Sequence, residues 1–179
     1  MISRQVPDSP AIVLATLNAK YIHASLGLRY LLANMDRHGG AGLRARTQLR
    51  EFVIQQRPAQ IVESLLALNP GVIGLGVYIW NVIETTQVVR LLKTLRPDIK
   101  IVLGGPEVSH EVEQQEICRL ADHVVTGWGD VSFPKLCRAL LDLMNAPPSS
   151  AVLASASAVA SAASSPPNPA LTAASTEGR

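Results

Sequence analysis

Between residues 11 and 144, short runs of aliphatic and β-branched residues alternate five times with longer segments whose aliphatic side chains recur at three- and four-residue spacing. The first pattern is that of a strand buried on both faces, and the second that of a helix buried along one stripe. A strand that must pair in parallel with its neighbour needs a crossover of a dozen or more residues, which a helix supplies. The repeat therefore leaves few solutions besides a parallel sheet with helices packed on both faces.

The first run, Ala11–Leu17 (AIVLATL), reads as a buried strand. Ser25 is placed to cap the helix that follows, which carries Leu28, Leu31, Leu32 and Met35 and stops at Gly39-Gly40. Arg44–Phe52 is a more polar strand, suited to the sheet edge. Pro58 opens a helix with Ile61, Leu65 and Leu68, ended by Asn69 and Pro70. Val72–Trp80 is the next buried strand, after which Asn81 is expected to cap a helix bearing Val88, Leu91, Leu92 and Leu95. A fourth strand spans Ile99–Leu103, a helix Glu111–Leu120, a fifth strand His123–Thr126 and a last helix Ser132–Met144. We read an α/β, doubly wound, five-stranded parallel sheet of flavodoxin-like (Rossmann-like) type, with strand order 2-1-3-4-5.

Outside this region the composition changes. Residues 1–9 form an N-terminal extension with Arg4 and Asp8 and no apolar core segment, so no signal peptide is read there. Residues 10–145 are the α/β domain. Residues 146–179 are almost entirely Ala, Ser, Pro and Thr and lack the large side chains that offset ordering entropy, so a disordered tail is expected, either a linker or sequence past a truncation. A net charge of +2 with scattered lysines and arginines excludes a nucleic-acid module, and no apolar run is long enough to span a membrane. Cys118 and Cys137 match no metal or disulfide spacing; buried thiols in a cytoplasmic protein are the expectation.

In this fold ligands bind beyond the carboxyl ends of the strands. After strand 1 comes a long segment, Asn18 to Gly27, with Tyr21 and His23; after strand 3, Tyr78-Ile79-Trp80-Asn81; after strand 4, Gly104-Gly105-Pro106-Glu107-Val108; after strand 5, Gly127-Trp128-Gly129-Asp130 with Phe133 beyond. Each element alone is turn chemistry or packing more often than a ligand seat. Their coincidence on one edge points to a flat, bulky ligand. A phospho-accepting receiver would need carboxylates after strand 1 and at the end of strand 3, where Asn18 and Asn81 stand. A dinucleotide fold would need G-x-G-x-x-G after its first strand, and a P-loop needs G-K-[ST]; both are absent, as is any nucleophile–base pair around His23, His38, His110 or His123.

The strings Lys20-Tyr21-Ile22-His23-Ala24-Ser25-Leu26-Gly27-Leu28-Arg29-Tyr30-Leu31, Val77-Tyr78-Ile79-Trp80-Asn81 and Val102-Leu103-Gly104-Gly105-Pro106-Glu107-Val108-Ser109 resemble the N-terminal cobalamin-binding domain of cobalamin-dependent radical SAM proteins. The resemblance covers residues 11 to 145. It implies a corrinoid lying flat on the strand ends, with its lower face on the loops after strands 1 and 3 and its nucleotide tail passing toward Gly104 and Gly105. The residues it implicates are Leu17, Asn18, Tyr21, His23, Ser25, Leu26 and Gly27; Val77, Tyr78, Ile79, Trp80 and Asn81; Gly104, Gly105, Pro106, Glu107 and Val108; and Gly127, Trp128, Gly129 and Phe133.

Departures from the family pattern shape the expectation. Domains that ligate cobalt with histidine carry D-x-H-x-x-G after strand 1; here Tyr21 replaces the Asp and Gly27 is one residue late. Without that carboxylate, His23 lacks the hydrogen bond that raises a ligand's basicity, so cobalt is expected to have no protein ligand. Gly76 stands where related domains often have Ser on strand 3, and Trp128 and Asp130 replace two glutamates. The Cys-x-x-x-Cys-x-x-Cys triplet that holds an iron–sulfur cluster is absent, so the cluster and S-adenosylmethionine would belong to a separate catalytic domain. The chain then reads as a cofactor module without catalysis of its own. The competing reading is a small α/β enzyme or binding domain for a nucleotide or nucleotide sugar at the same crevice.

Overall fold

The computed structural model describes residues 10–146. The N-terminal extension and the tail from residue 147 on, including its expected disorder, lie outside the described residues. Five strands, β1 (Ile12–Asn18), β2 (Thr47–Val53), β3 (Val72–Gly76), β4 (Lys100–Gly104) and β5 (His123–Val125), pair in parallel in the order β2-β1-β3-β4-β5. The helices between and after them are α1 (Leu26–Gly39), α2 (Pro58–Leu66), α3 (Val82–Leu95), α4 (Glu116–Leu120) and α5 (Gly129–Asn145). This is the expected flavodoxin-like sheet, with the polar β2 at one edge.

Alternation along the strands divides the interior in two. Val13, Ala15, Leu17, Ile73, Leu75, Val77, Ile101 and Leu103 face one way and pack with α2, α3 and α4. Ile12, Leu14, Val72 and Val102 face the other way, onto α1 and α5 through Leu28, Met35, Phe133, Leu140 and Leu141. The two thiols are free and buried on opposite sides of the sheet, Cys118 in the first cluster and Cys137 in the second. Burial pushes the Cys137 thiol up to about 12.

Several boundaries differ from the sequence reading, each for a local reason. β2 starts at Thr47, because a turn from Leu43 precedes it and the Thr47 hydroxyl donates to the Leu43 carbonyl at 2.8 Å. β3 ends at Gly76, not Trp80. Val77 makes one more bond, from its amide to the Gly104 carbonyl at 2.8 Å, and then the chain turns through Tyr78–Asn81. The helix expected over Glu111–Leu120 is only Glu116–Leu120: Glu111 sits at φ 48°, and the Gln115 side chain donates to the carbonyls of Glu107 and His110. α5 begins at Gly129, three residues before Ser132, since the amides of Val131 and Ser132 both bond to the Trp128 carbonyl. Arg138 of α5 donates to the carbonyls of Gly39, Gly40 and Ala41, closing the C-terminus of α1 and holding the two helices together.

Candidate functional site

The feature that opens a site in this fold is a G-x-G in β3. Period-two alternation puts Gly74 and Gly76 on the α1/α5 face. Register then sets Thr16, Gly76, Gly104 and Val125 side by side across four adjacent strands, with Leu14, Gly74 and Val102 in the row beneath. At the carboxyl end of the sheet the two middle positions therefore carry no side chain. A Cβ on Gly104 would meet only the Val125 carbonyl, at 3.7 Å, and one on Gly76 would touch the Thr16 hydroxyl at 3.4 Å, so both have room that is left unused. Gly74 differs: the Phe133 ring fills its place, 2.6 Å from where a Cβ would stand.

The result is a cavity of about 360 Å³ between the sheet and the first turns of α1 and α5. Its buried wall is Leu14, Leu28, Gly74, Gly76, Val102 and Phe133; Gly27, Tyr30, Tyr78, Pro106, Ser109, Gly127, Gly129 and Asp130 lie toward the mouth. Gly105, at φ 120°, can only be glycine, because a Cβ there would overlap the Val77 carbonyl. Gly127, at φ 74°, makes the turn that aims the N-terminus of α5 at the opening.

Asn81 holds the strand ends in place. It occupies the residue before α3 but makes no side-chain cap to that helix, contrary to the sequence expectation. Its Nδ2 instead donates to the Leu17 carbonyl at 3.0 Å and the Gly76 carbonyl at 3.2 Å, while its Oδ1 accepts the Tyr78 amide at 2.8 Å. The amide thus joins β1 to β3 and sets the turn that carries Tyr78 and Trp80, whose rings stack with centroids 4.5 Å apart.

The loop after β1 is fixed from β2. Glu51 accepts the Ser25 amide at 2.5 Å, the Asn18 side chain at 3.3 Å and the Arg29 guanidinium at 2.6 Å. Asn18 in turn donates to the His23 carbonyl at 2.9 Å, and Ser25 caps α1 by accepting the Leu28 amide, as the sequence predicts. Partial burial pushes the Glu51 carboxyl up, but the Ser25 amide, Arg29 and Asn18 outweigh it and hold the group below its usual range. Tyr21, His23 and Asn18 border a second, open hollow beside Glu51.

The segments that follow β1, β3 and β5 carry large apolar side chains in solvent: Tyr21 is 88% exposed, Leu26 78%, Ile79 76% and Trp128 79%, with Ile22 and Trp80 beside them in sequence.

The expected site residues therefore divide by place. Gly27, Tyr78, Gly104, Gly105, Pro106, Gly127, Gly129 and Phe133 line the one cavity. Tyr21, His23, Leu26, Ile79, Trp80 and Trp128 are exposed and do not line it, Tyr21 and His23 bordering the hollow beside Glu51 instead. Leu17, Val77 and Val108 are buried in the core on the other side of the sheet. Ser25 and Asn81 are occupied with backbone groups, and the carbonyl of Glu107 takes the Gln115 amide. Gly74, Gly76, Leu14, Leu28 and Val102 were not foreseen as walls, and Glu51 and Arg29 were not foreseen as supports. The signal for the first two was present in Val72-Ile73-Gly74-Leu75-Gly76, where glycines two apart in a buried strand mean close approach on one face. Among the described residues no group of three His, Cys, Asp or Glu could hold a metal ion, and no helix is long and apolar enough to cross a membrane.

The architecture is a doubly wound sheet with a glycine-floored cavity at its strand ends, bordered by the first turns of α1 and α5. The family is that of the B12 binding domain: its model matches residues 12–137, and the chain belongs to it. Among solved structures, a novel cobalamin-binding protein from Desulfitobacterium hafniense DCB-2 is 24% identical with a TM-score of 0.52, over 72% of this chain and 57% of that one. The chain thus spans little more than half the length of that protein, and the likeness shows the fold. A CheY-like protein (tadZ) from Pseudomonas aeruginosa PAO1 is 17% identical over 72% of this chain and 91% of its own, with a TM-score of 0.49. The response regulator domain of Thermotoga maritima CheB is 17% identical over 76% and 98%, with a TM-score of 0.47. No curated protein matches the chain.

Proposed function

We propose that the chain holds cobalamin with its nucleotide tail in the cavity over Gly76 and Gly104 and its corrin ring across the apolar side chains at the strand ends. The observation that carries this reading is the pair of glycine positions: a Cβ on Gly104 would meet only the Val125 carbonyl, at 3.7 Å, and one on Gly76 would make no contact closer than 3.4 Å, so space that side chains could fill is left open on the cavity floor. The residues fit the group. A flat base can lie between Leu28 and Phe133 against the glycine floor. The tail's phosphate can sit near the mouth, where the N-termini of α1 and α5 lie with Gly27 and Gly129. Tyr21, Leu26, Ile79, Trp80 and Trp128 offer the broad ring an apolar bed. His23, with Tyr21 two residues before it in place of the family's Asp, is not the lower ligand of cobalt in this account.

The unit assigned to this task is residues 10–145. The chain serves as the cobalamin module of a radical SAM protein, and the chemistry belongs to a catalytic domain with an iron–sulfur cluster and S-adenosylmethionine. What supports this is the three strings after strands 1, 3 and 4. Reading the nucleotide sequence downstream for Cys-x-x-x-Cys-x-x-Cys tests it.

Binding itself is tested by mixing the chain with hydroxocobalamin and passing it down a sizing column. Corrinoid absorbance should travel with the protein. Binding of nucleotides with no co-elution of corrinoid would favour the nucleotide reading of the crevice.

A further inference from the structure

We infer that the cavity selects among corrinoids by the lower base on the nucleotide tail, accepting an apolar benzimidazole-type base and discriminating against a purine. This rests on the tail entering the cavity as proposed above. The side chains of the buried wall are Leu14, Leu28, Val102 and Phe133, all hydrocarbon. Two buried polar side chains touch Gly76 of the floor, and both are already engaged: the Thr16 hydroxyl donates to the Gly76 carbonyl at 3.0 Å, and the Asn81 amide nitrogen donates to the Gly76 and Leu17 carbonyls at 3.2 and 3.0 Å. The floor's backbone groups are paired in the parallel ladders. Toward the mouth the Ser109 hydroxyl is spent on the Gly105 carbonyl at 2.8 Å, and Tyr30, Tyr78 and Asp130 stand in partly or fully exposed positions.

A base pushed inward therefore meets no hydrogen-bonding side chain in the buried wall. The outer edge of dimethylbenzimidazole is two methyl groups and loses nothing there. The corresponding edge of adenine carries an amino group and ring nitrogens, which would be stripped of water without replacement. Shape does not separate the two bicyclic bases; desolvation does.

The test is a set of equilibrium titrations of the full chain with cobalamin, the adenine-bearing cobamide and cobinamide, which has no nucleotide tail. The expected result is cobalamin bound at least about tenfold more tightly than the adenine-bearing cobamide. A second arm uses Leu31→Gln, which places an amide able to pair with adenine on a half-buried lining position; it should narrow that ratio, and a ratio it leaves unmoved would place the discrimination outside the cavity. Equal affinities for the two cobamides, both above cobinamide, would overturn base selection while leaving the cobalamin reading intact. Cobinamide bound as tightly as cobalamin would overturn it by removing the tail from the cavity. Binding of none of the three would defeat the proposed function itself.

Discussion

The side-chain amide of Asn81 lies 3.0 Å from the main-chain oxygen of Leu17, sixty-four residues away, and through it the ends of β1 and β3 are tied at the edge of the cavity. Asn81 is fully buried, and three of its contacts are to backbone groups, the Leu17 and Gly76 carbonyls in buried bonds and the Tyr78 amide in a part-buried one. Asn81→Ala should cost about 3 kcal/mol, since it removes a partner from the Leu17 carbonyl and the Tyr78 amide and leaves the Gly76 carbonyl to the Thr16 hydroxyl. Urea unfolding measures this as a lower midpoint with an unchanged slope.

Neighbouring glycines should respond in opposite ways. Gly105→Ala forces a Cβ onto the Val77 carbonyl in a left-handed backbone and should destabilise by about 3 kcal/mol. Gly104→Ala places its methyl group in open cavity and should shift stability by no more than about 1 kcal/mol. Thermal unfolding of the two variants side by side distinguishes a structural glycine from one that keeps space for a ligand.

Glu51 gives a pH signature. Its folded-state carboxyl is held below the ordinary value of 4.5, so its contribution is present above that value and is lost as pH falls through the lower folded one. At pH 7 Glu51→Gln should be less stable than the parent chain, and the two urea midpoints should converge in the acid range beneath 4.5. The same variant loosens the loop that carries Tyr21 and His23. A constant gap across that range would mean that the carboxylate's charge contributes nothing.

The account leaves cobalt without a protein nitrogen. The paramagnetic resonance spectrum of bound cob(II)alamin should therefore be the same in the parent chain and in His23→Ala. A change in nitrogen splitting on that substitution would make His23 a ligand.

The sheet was legible because its causes are local. Runs such as Ile12–Leu17 and Lys100–Gly104 can be buried on both faces only as central strands, and Gly40, Pro58 and Pro97 punctuate the helices wherever the chain lies. What could not be read depends on contacts between distant elements. Asn81 precedes a helix, and its local preference is to cap it; the carbonyls of Leu17 and Gly76 compete for the same amide and win. Glu51 looks like an ordinary charge on an edge strand until β1 and β2 pair and bring Asn18 and Ser25 beside it. The glycines after strand 4 announced themselves as a doublet; the spacing of Gly74 and Gly76 signals close approach on one face of a strand, but that they floor a cavity depends on register with Leu14, Val102 and Gly104.

The most direct test of the central claim is an equilibrium titration of cobalamin into the parent chain and into Gly104→Val, with circular dichroism recorded on both. The valine side chain extends into the cavity from a position where a Cβ meets nothing closer than 3.7 Å, so the fold should survive. The account predicts saturable binding by the parent chain and its loss in a folded Gly104→Val. Undiminished binding by the folded variant would contradict it.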